Sequence, residues 1–163
     1  MTIIIKLNSE CLHRLDLSPA QTQIEPLLKQ DTIATSEQQL RFEIDYPRDS
    51  QDPRELSEVP EVRLWFLRLD ARYPWLPFLL DWKAGELARY VAMLVPHQFH
   101  RTEGIQYNPE ALEIFLMRKI FILADWLSQK GISSISRLKS MSQMLGYDLE
   151  DNLFELIASE GPT

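Results

Sequence analysis

One segment limits the folds open to this chain more than any other. After Asn108-Pro109, a run to about Lys130 carries Leu112, Ile114, Phe115, Leu116, Ile120, Phe121, Ile122, Leu123 and Leu127, which fall on nearly every side of a helix. Asparagine is a strong N-cap, and proline suits the first helical position because its missing N–H would have no intrahelical partner there. Gly131 supplies the stop. A helix that is apolar all round is a central one, covered by its neighbours. Within the longest apolar region, Ala111 to Leu127, Glu113, Arg118, Lys119 and Asp125 intervene. Those charges argue for a buried helix in water, and no stretch has the length of uncharged residues that spans a bilayer.

Shorter helices are expected around it. Val62, Trp65, Phe66 and Leu69 recur at i, i+3, i+4 and i+7, with Pro60 in the first turn, Glu61 at the positive end of the dipole and Pro74 ending the helix near Arg72. Trp75 to Trp82 contains Pro77 and reads as an irregular apolar connection. Asp81 is placed to cap a helix running to about Leu94, before Pro96. Residues 97–108, holding Gly104, read as a loop. Ser133 or Ser134 is expected to cap a helix with Ile135, Leu138 and Leu145 inward, ending at Gly146. Asp148 is expected to cap the last helix, with Leu149, Leu153, Leu156 and Ile157 on one face. The tail from Ser159 is expected to fray.

The N-terminal part differs. Thr2 to Leu7 is β-branched and bounded by Asn8-Ser9, so it reads as a strand. Ser18-Pro19 opens a helix that Pro26 either interrupts or follows with a second short turn. Leu40, Phe42, Ile44 and Tyr46 alternate with Arg41, Glu43 and Asp45, the pattern of a half-buried strand with one wet face. The two strands are expected to pair, with antiparallel as the working guess. Residues 47–60 are polar and proline-rich, as in a mobile loop or hinge. The predicted fold is therefore α+β: a small N-terminal β layer of two or more strands packed on a predominantly helical C-terminal bundle. At 163 residues it is most simply a single domain, 1–163, comprising a strand layer (1–46), the polar loop (47–60) and a helical part (61–158).

Totals narrow the chemistry. A chain of this length buries roughly two thirds of its unfolded surface, so neither a disulfide nor a metal is needed to hold it. The single cysteine, Cys11, fits a reducing compartment, and no secretory signal is evident at the N-terminus. Net charge is −7; residues 1–60 hold six basic and eleven acidic side chains, a net of −5, which leaves −2 for the rest. An acidic chain does not attract a phosphate backbone, so no nucleic-acid partner is expected. The acidic segment DLEDNLFELIASE is the wrong sign for a major-groove helix.

No enzyme signature stands out. There is no Gly-rich phosphate loop and no nucleophile elbow. Cys11 and His13 supply two ligand types, too few to specify a metal. His97 and His100, flanked by Arg101 and Glu103, offer two imidazoles and a carboxylate. A metal-binding protein or metal-dependent hydrolase would need these histidines to converge with Asp81 or Glu103. Glu86 and Arg89 stand three apart, a default surface ion pair. The aromatic residues near 65–99 serve the core first. Tryptophan and tyrosine beside Arg72, Arg89 and Arg101 also have the composition of an interaction hot spot. The candidate partner-binding set is Trp75, Asp81, Trp82, Arg89, His97, His100, Arg101, Glu103 and Tyr107, with no catalytic residue, metal or cofactor expected.

The block VRLWFLRLDARYPWLPFLLDWKAGELARYVAMLVPHQFHRTEGIQYNPEALEIF resembles the core of the chlororespiratory reduction 6 family, with residues 58–130 carrying the likeness. The resemblance implies a non-enzymatic assembly factor that helps mature the ferredoxin-like iron–sulfur subunit of the photosynthetic NAD(P)H dehydrogenase-like complex. It implies no catalytic residues. Without a transit peptide the chain resembles the cyanobacterial, cytoplasmic form. Donation of a cluster by this chain itself is disfavoured, because one cysteine cannot hold a cluster within one subunit.

Overall fold

The structure, a computed structural model, describes residues 1–100 and 102–159, the side chains of Ala158 and Ser159 aside. It is α+β and 55% helical, with seven helices and two small sheets among the described residues. The chain divides into two compact units, Met1–Leu94 and Val95–Thr163, taken here in turn.

The first unit runs β1 (Ile3–Asn8), α1 (Ser9–His13), α2 (Ser18–Lys29), β2 (Leu40–Asp45), α3 (Pro60–Arg72) and α4 (Glu86–Leu94). The strands pair in parallel, Ile3 opposite Leu40 and Asn8 opposite Asp45, so the antiparallel guess is corrected. The reason lies in residues 9–39. Two helices in that connection carry the chain back to the starting edge, as a parallel pair requires, whereas an antiparallel pair needs only a tight turn. The alternation holds: Ile5, Leu7, Leu40 and Phe42 are buried, while Ile4, Lys6, Arg41 and Glu43 face water.

Local capping explains the helix starts. The N-cap of α2 is Leu17 rather than Ser18, with no side-chain cap, and just outside it Asp16 Oδ1 accepts the Ser18 N–H at 3.0 Å and the Ser18 hydroxyl. Pro26 does not interrupt α2, which runs on to Lys29 and forgoes the one hydrogen bond that proline cannot donate. In α3 the four expected residues Val62, Trp65, Phe66 and Leu69 are all buried. Burial of each aliphatic or phenylalanine side chain stabilises by roughly 2 kcal/mol. Trp65 also donates its indole N–H to the Asp16 carbonyl at 2.7 Å, so its polar atom is satisfied inside. In the polar segment 47–60, Arg54 grips Asp52 at 2.9 Å, and Glu58 accepts the Glu55 N–H at 3.0 Å just ahead of α3.

The second unit runs β3 (His97–His100), β4 (Gly104–Tyr107), α5 (Pro109–Gln129), α6 (Ile135–Met144) and α7 (Asp151–Ser159). The expected loop at 97–108 is instead an antiparallel hairpin, pairing His97 with Tyr107 and His100 with Gly104. Gly104 sits at φ +74°, a left-handed conformation that glycine adopts without strain at the turn. Asn108 caps α5 as expected, accepting the Ala111 N–H at 3.0 Å. Past Gly131 (φ +72°) the Ile132 N–H returns to the Leu127 carbonyl at 2.9 Å. That bond closes the helix.

Three expectations in this unit are corrected. α5 is not covered on every side: Leu112, Leu116, Ile120, Leu123 and Leu127 are buried, but Ile114 is 68% and Phe121 52% exposed. α7 starts at Asp151 rather than beside Asp148, which turns Phe154 and Ile157 inward and Leu156 outward. In α6, Leu138 is buried but Ile135 is exposed. The tail 160–163 lies outside the described residues.

Candidate functional site

In the first unit, the outer edge of β2 gathers most of the polar candidates. In a parallel ladder, alternate residues of a strand turn both peptide groups away from the partner strand. On β2 these include Leu40 and Phe42. Leu40 is taken by the 73–82 connection, its N–H donating to the Leu79 carbonyl at 2.8 Å and its carbonyl accepting the Asp81 N–H at 3.0 Å. Phe42 is served by α4: Arg89 donates to the Phe42 carbonyl at 3.0 Å. The 79–81 main chain and the Arg89 side chain therefore stand where the next strand would lie. They blunt an edge that would otherwise invite pairing with another chain.

Asp81 is the hinge of this arrangement. Its carboxylate accepts from Arg41 Nε at 2.9 Å and from the Ala84 N–H at 3.1 Å, and its carbonyl accepts the Glu86 N–H at 3.1 Å. Asp81 thus caps a turn that precedes α4, so the helix begins later than the sequence suggested. The Arg41 bond holds its carboxyl below the ordinary aspartate value. Arg41 was not singled out in the sequence; a basic residue on the wet face of a strand carries no local signal of its partner.

Glu86 is the unusual group. It is only 6% exposed, its Oε1 lies 3.4 Å from Arg89, and its Oε2 has no hydrogen-bond partner among the described residues. Burial pushes its pKa up, opposed by the Arg89 charge and the nearby Phe42 amide. What the sequence reads as a surface pair has its carboxylate buried and its guanidinium half-exposed. Trp75 is also buried (8% exposed) with its ring edge-on to Tyr73, so it serves the core. Trp82 is half-buried and donates its indole N–H to the Pro77 carbonyl at 2.9 Å.

In the second unit, the hairpin sorts the remaining candidates by face. Directly opposed residues of an antiparallel pair share a face, and neighbours along a strand alternate. His97, Phe99, Ile105 and Tyr107 therefore line one face, and Gln98, His100 and Gln106 the other. His97 is braced by its Nδ1, 3.0 Å from the Val95 carbonyl, and by Tyr107, whose ring lies edge-on at 5.8 Å. Burial raises the Tyr107 hydroxyl pKa. Above this half-buried pair, Phe99 and Ile105 are exposed. The sequence reading missed that apolar pair. Its signal was the alternation either side of a glycine in HQFHRTEGIQY. Glu103 is exposed and accepts from Gln106, His100 is exposed, and Arg101 lies outside the described residues.

His97 and His100 point to opposite faces of β3, so they do not converge on one ion as a metal site would require. Among the described residues no group of three histidine, cysteine or acidic side chains is placed to hold a metal. Cys11 is buried in α1, its thiol donating to the Asn8 carbonyl at 3.2 Å, and burial raises its pKa, which suits packing rather than reaction. His13 turns away to Tyr46, 3.3 Å from its hydroxyl. Among the described residues no helix is long and apolar enough to cross a membrane. The surfaces so described are a charged, braced strand edge in one unit and an exposed apolar hairpin face in the other. No solved structure matches the chain. A family model does match, over residues 7–156, and the chain belongs to the chlororespiratory reduction 6 family.

Proposed function

We propose that this chain is a non-enzymatic assembly factor that acts in the cytoplasm of a cyanobacterium and matures the ferredoxin-like iron–sulfur subunit of the photosynthetic NAD(P)H dehydrogenase-like complex. The observation that carries this reading is the family match across nearly the whole chain, which ties it to chlororespiratory reduction and that complex. The surfaces described above support a binding role. Asp81, Trp82 and Arg89 contribute from the first unit, and His97, His100, Glu103 and Tyr107 from the second, together with Arg101 in sequence. Phe99 and Ile105 add the exposed apolar contact that binding surfaces concentrate. The client is held through side chains, with no covalent step on this chain.

The test is a strain lacking the gene. Loss of the iron–sulfur subunit from the assembled complex, with its messenger level unchanged and assembly restored by the wild-type gene, is the expected result. Normal assembly of that subunit in the deletion strain would sink the proposal.

A further inference from the structure

The apolar surplus of α5 leads to a surface that the candidate residues above do not touch. Beside Phe121 and Asp125 on α5, a groove of about 860 Å³ opens toward Ile135 on α6 and Ile157 on α7. Its lining combines apolar side chains with several serines, and its charged residues are mostly acidic. Asp125, Asp151 and Glu155 line it, and Lys139, the one basic lining residue among those described, is already paired with Asp151 at 2.7 Å. Along α5 the exposed Ile114 stands two turns before Phe121 on the same face, with the exposed Arg118 between them, so the face leaving the groove is apolar at its ends and carries one cation outside the groove lining. From Ile114 to Ser128 the stripe and groove extend about 21 Å, at 1.5 Å per residue.

We infer that this groove binds an amphipathic helix of about four turns from a partner protein, with an apolar face flanked by lysine or arginine. The occupant follows from the lining. The apolar stripe demands an apolar face, its length on α5 is that of a short helix, and the uncompensated carboxylates select a basic one. The inference does not depend on which subunit the chain matures.

The probe is a fluorescein-labelled leucine/lysine amphipathic peptide of about 14 residues, a length matched to the groove. Its glutamate analogue is the counterpart, and both are titrated by anisotropy against the full chain. Phe121→Asp should weaken the lysine peptide about tenfold or more, as loss of a central apolar contact does. Asp125→Lys/Glu155→Lys should weaken it comparably and create binding to the glutamate peptide. Glu10→Lys/Glu43→Lys carries the same change in net charge away from the groove and should stay within about twofold of wild type, as expected for distant screened charges. All these positions are exposed, and circular dichroism verifies folding. The inference is overturned if the wild type does not bind the lysine peptide, if Phe121→Asp binds as well as wild type, or if the distant reversal weakens binding as much as the groove reversal. It is equally overturned if sedimentation shows a wild-type dimer that Phe121→Asp dissolves, since the groove would then belong to a second copy.

Discussion

Replacing Arg89 with methionine isolates the contribution of the Glu86–Arg89 pair. The substitution keeps the aliphatic stem and removes the guanidinium that bonds the Phe42 carbonyl at 3.0 Å and faces Glu86 Oε1 at 3.4 Å. Breaking a fully buried ion pair costs roughly 3–5 kcal/mol because the other charge is left alone. The Glu86 side chain is 8% exposed, but that of Arg89 is 35% exposed, so water softens the loss to about 2 kcal/mol. The unpaired Phe42 carbonyl adds about 1 kcal/mol. A total near 3 kcal/mol lowers the melting temperature by about 6–12 °C for a chain of this size. The sign of the pH dependence follows from Glu86, whose folded pKa is raised by burial. Such a group contributes stability that is fully present below its unfolded value and is lost as pH rises through the folded one. Without Arg89 the folded value moves higher still, so the gap between variant and wild type should be wide at neutral pH and close toward about 1 kcal/mol once Glu86 is protonated in both. Thermal unfolding followed by tryptophan fluorescence, from neutral pH down toward pH 4.5, the ordinary glutamate value, measures this; three of the four tryptophans lie in the first unit. Glu86→Gln/Arg89→Met should recover most of the neutral-pH loss. A loss that is the same at every pH, or a double variant no better than Arg89→Met alone, would refute the assignment.

Trp65→Phe removes an indole N–H that is satisfied at 2.7 Å and shrinks a fully buried ring, so urea unfolding should report a loss of about 2 kcal/mol. Asn108→Ala deletes the side-chain cap of α5 and should cost about 1 kcal/mol in the same assay, while Asn108→Asp retains the cap. Lys139→Ala breaks an exposed, solvent-screened ion pair with Asp151, and the urea midpoint should not move measurably.

What the sequence disclosed follows the reach of each signal. The α3 pattern, the Asn108-Pro109 start and the Gly131 stop are local, and all three hold in the structure. Strand direction is not local. The alternation of β2 says which face is wet but nothing of which way β1 runs beside it, and the guess failed there. The hairpin was missed because two short strands of exposed, mixed residues carry little periodicity; only Gly104 and the alternation around it pointed to a turn. The surplus apolar residues of α5 misled in a different way. Grease on every side suggests burial on every side, whereas Ile114 and Phe121 remain open, Phe121 at the acidic groove. Among the candidate binding residues, burial removes Trp75, and distant backbone contacts, invisible in a linear reading, give Asp81 and Arg89 their roles.

The most direct measurement is a binding titration between this purified chain and the isolated iron–sulfur subunit, with the intact NAD(P)H dehydrogenase-like complex as the comparison. An assembly factor should bind the unassembled subunit at micromolar affinity or better, on the order of −8 kcal/mol or stronger, and release it once the complex is complete. Trp82→Ala/His100→Ala should weaken that binding without unfolding the chain. Absence of binding to the isolated subunit, with tight binding to the finished complex, would contradict the assembly role and recast the chain as a resident component.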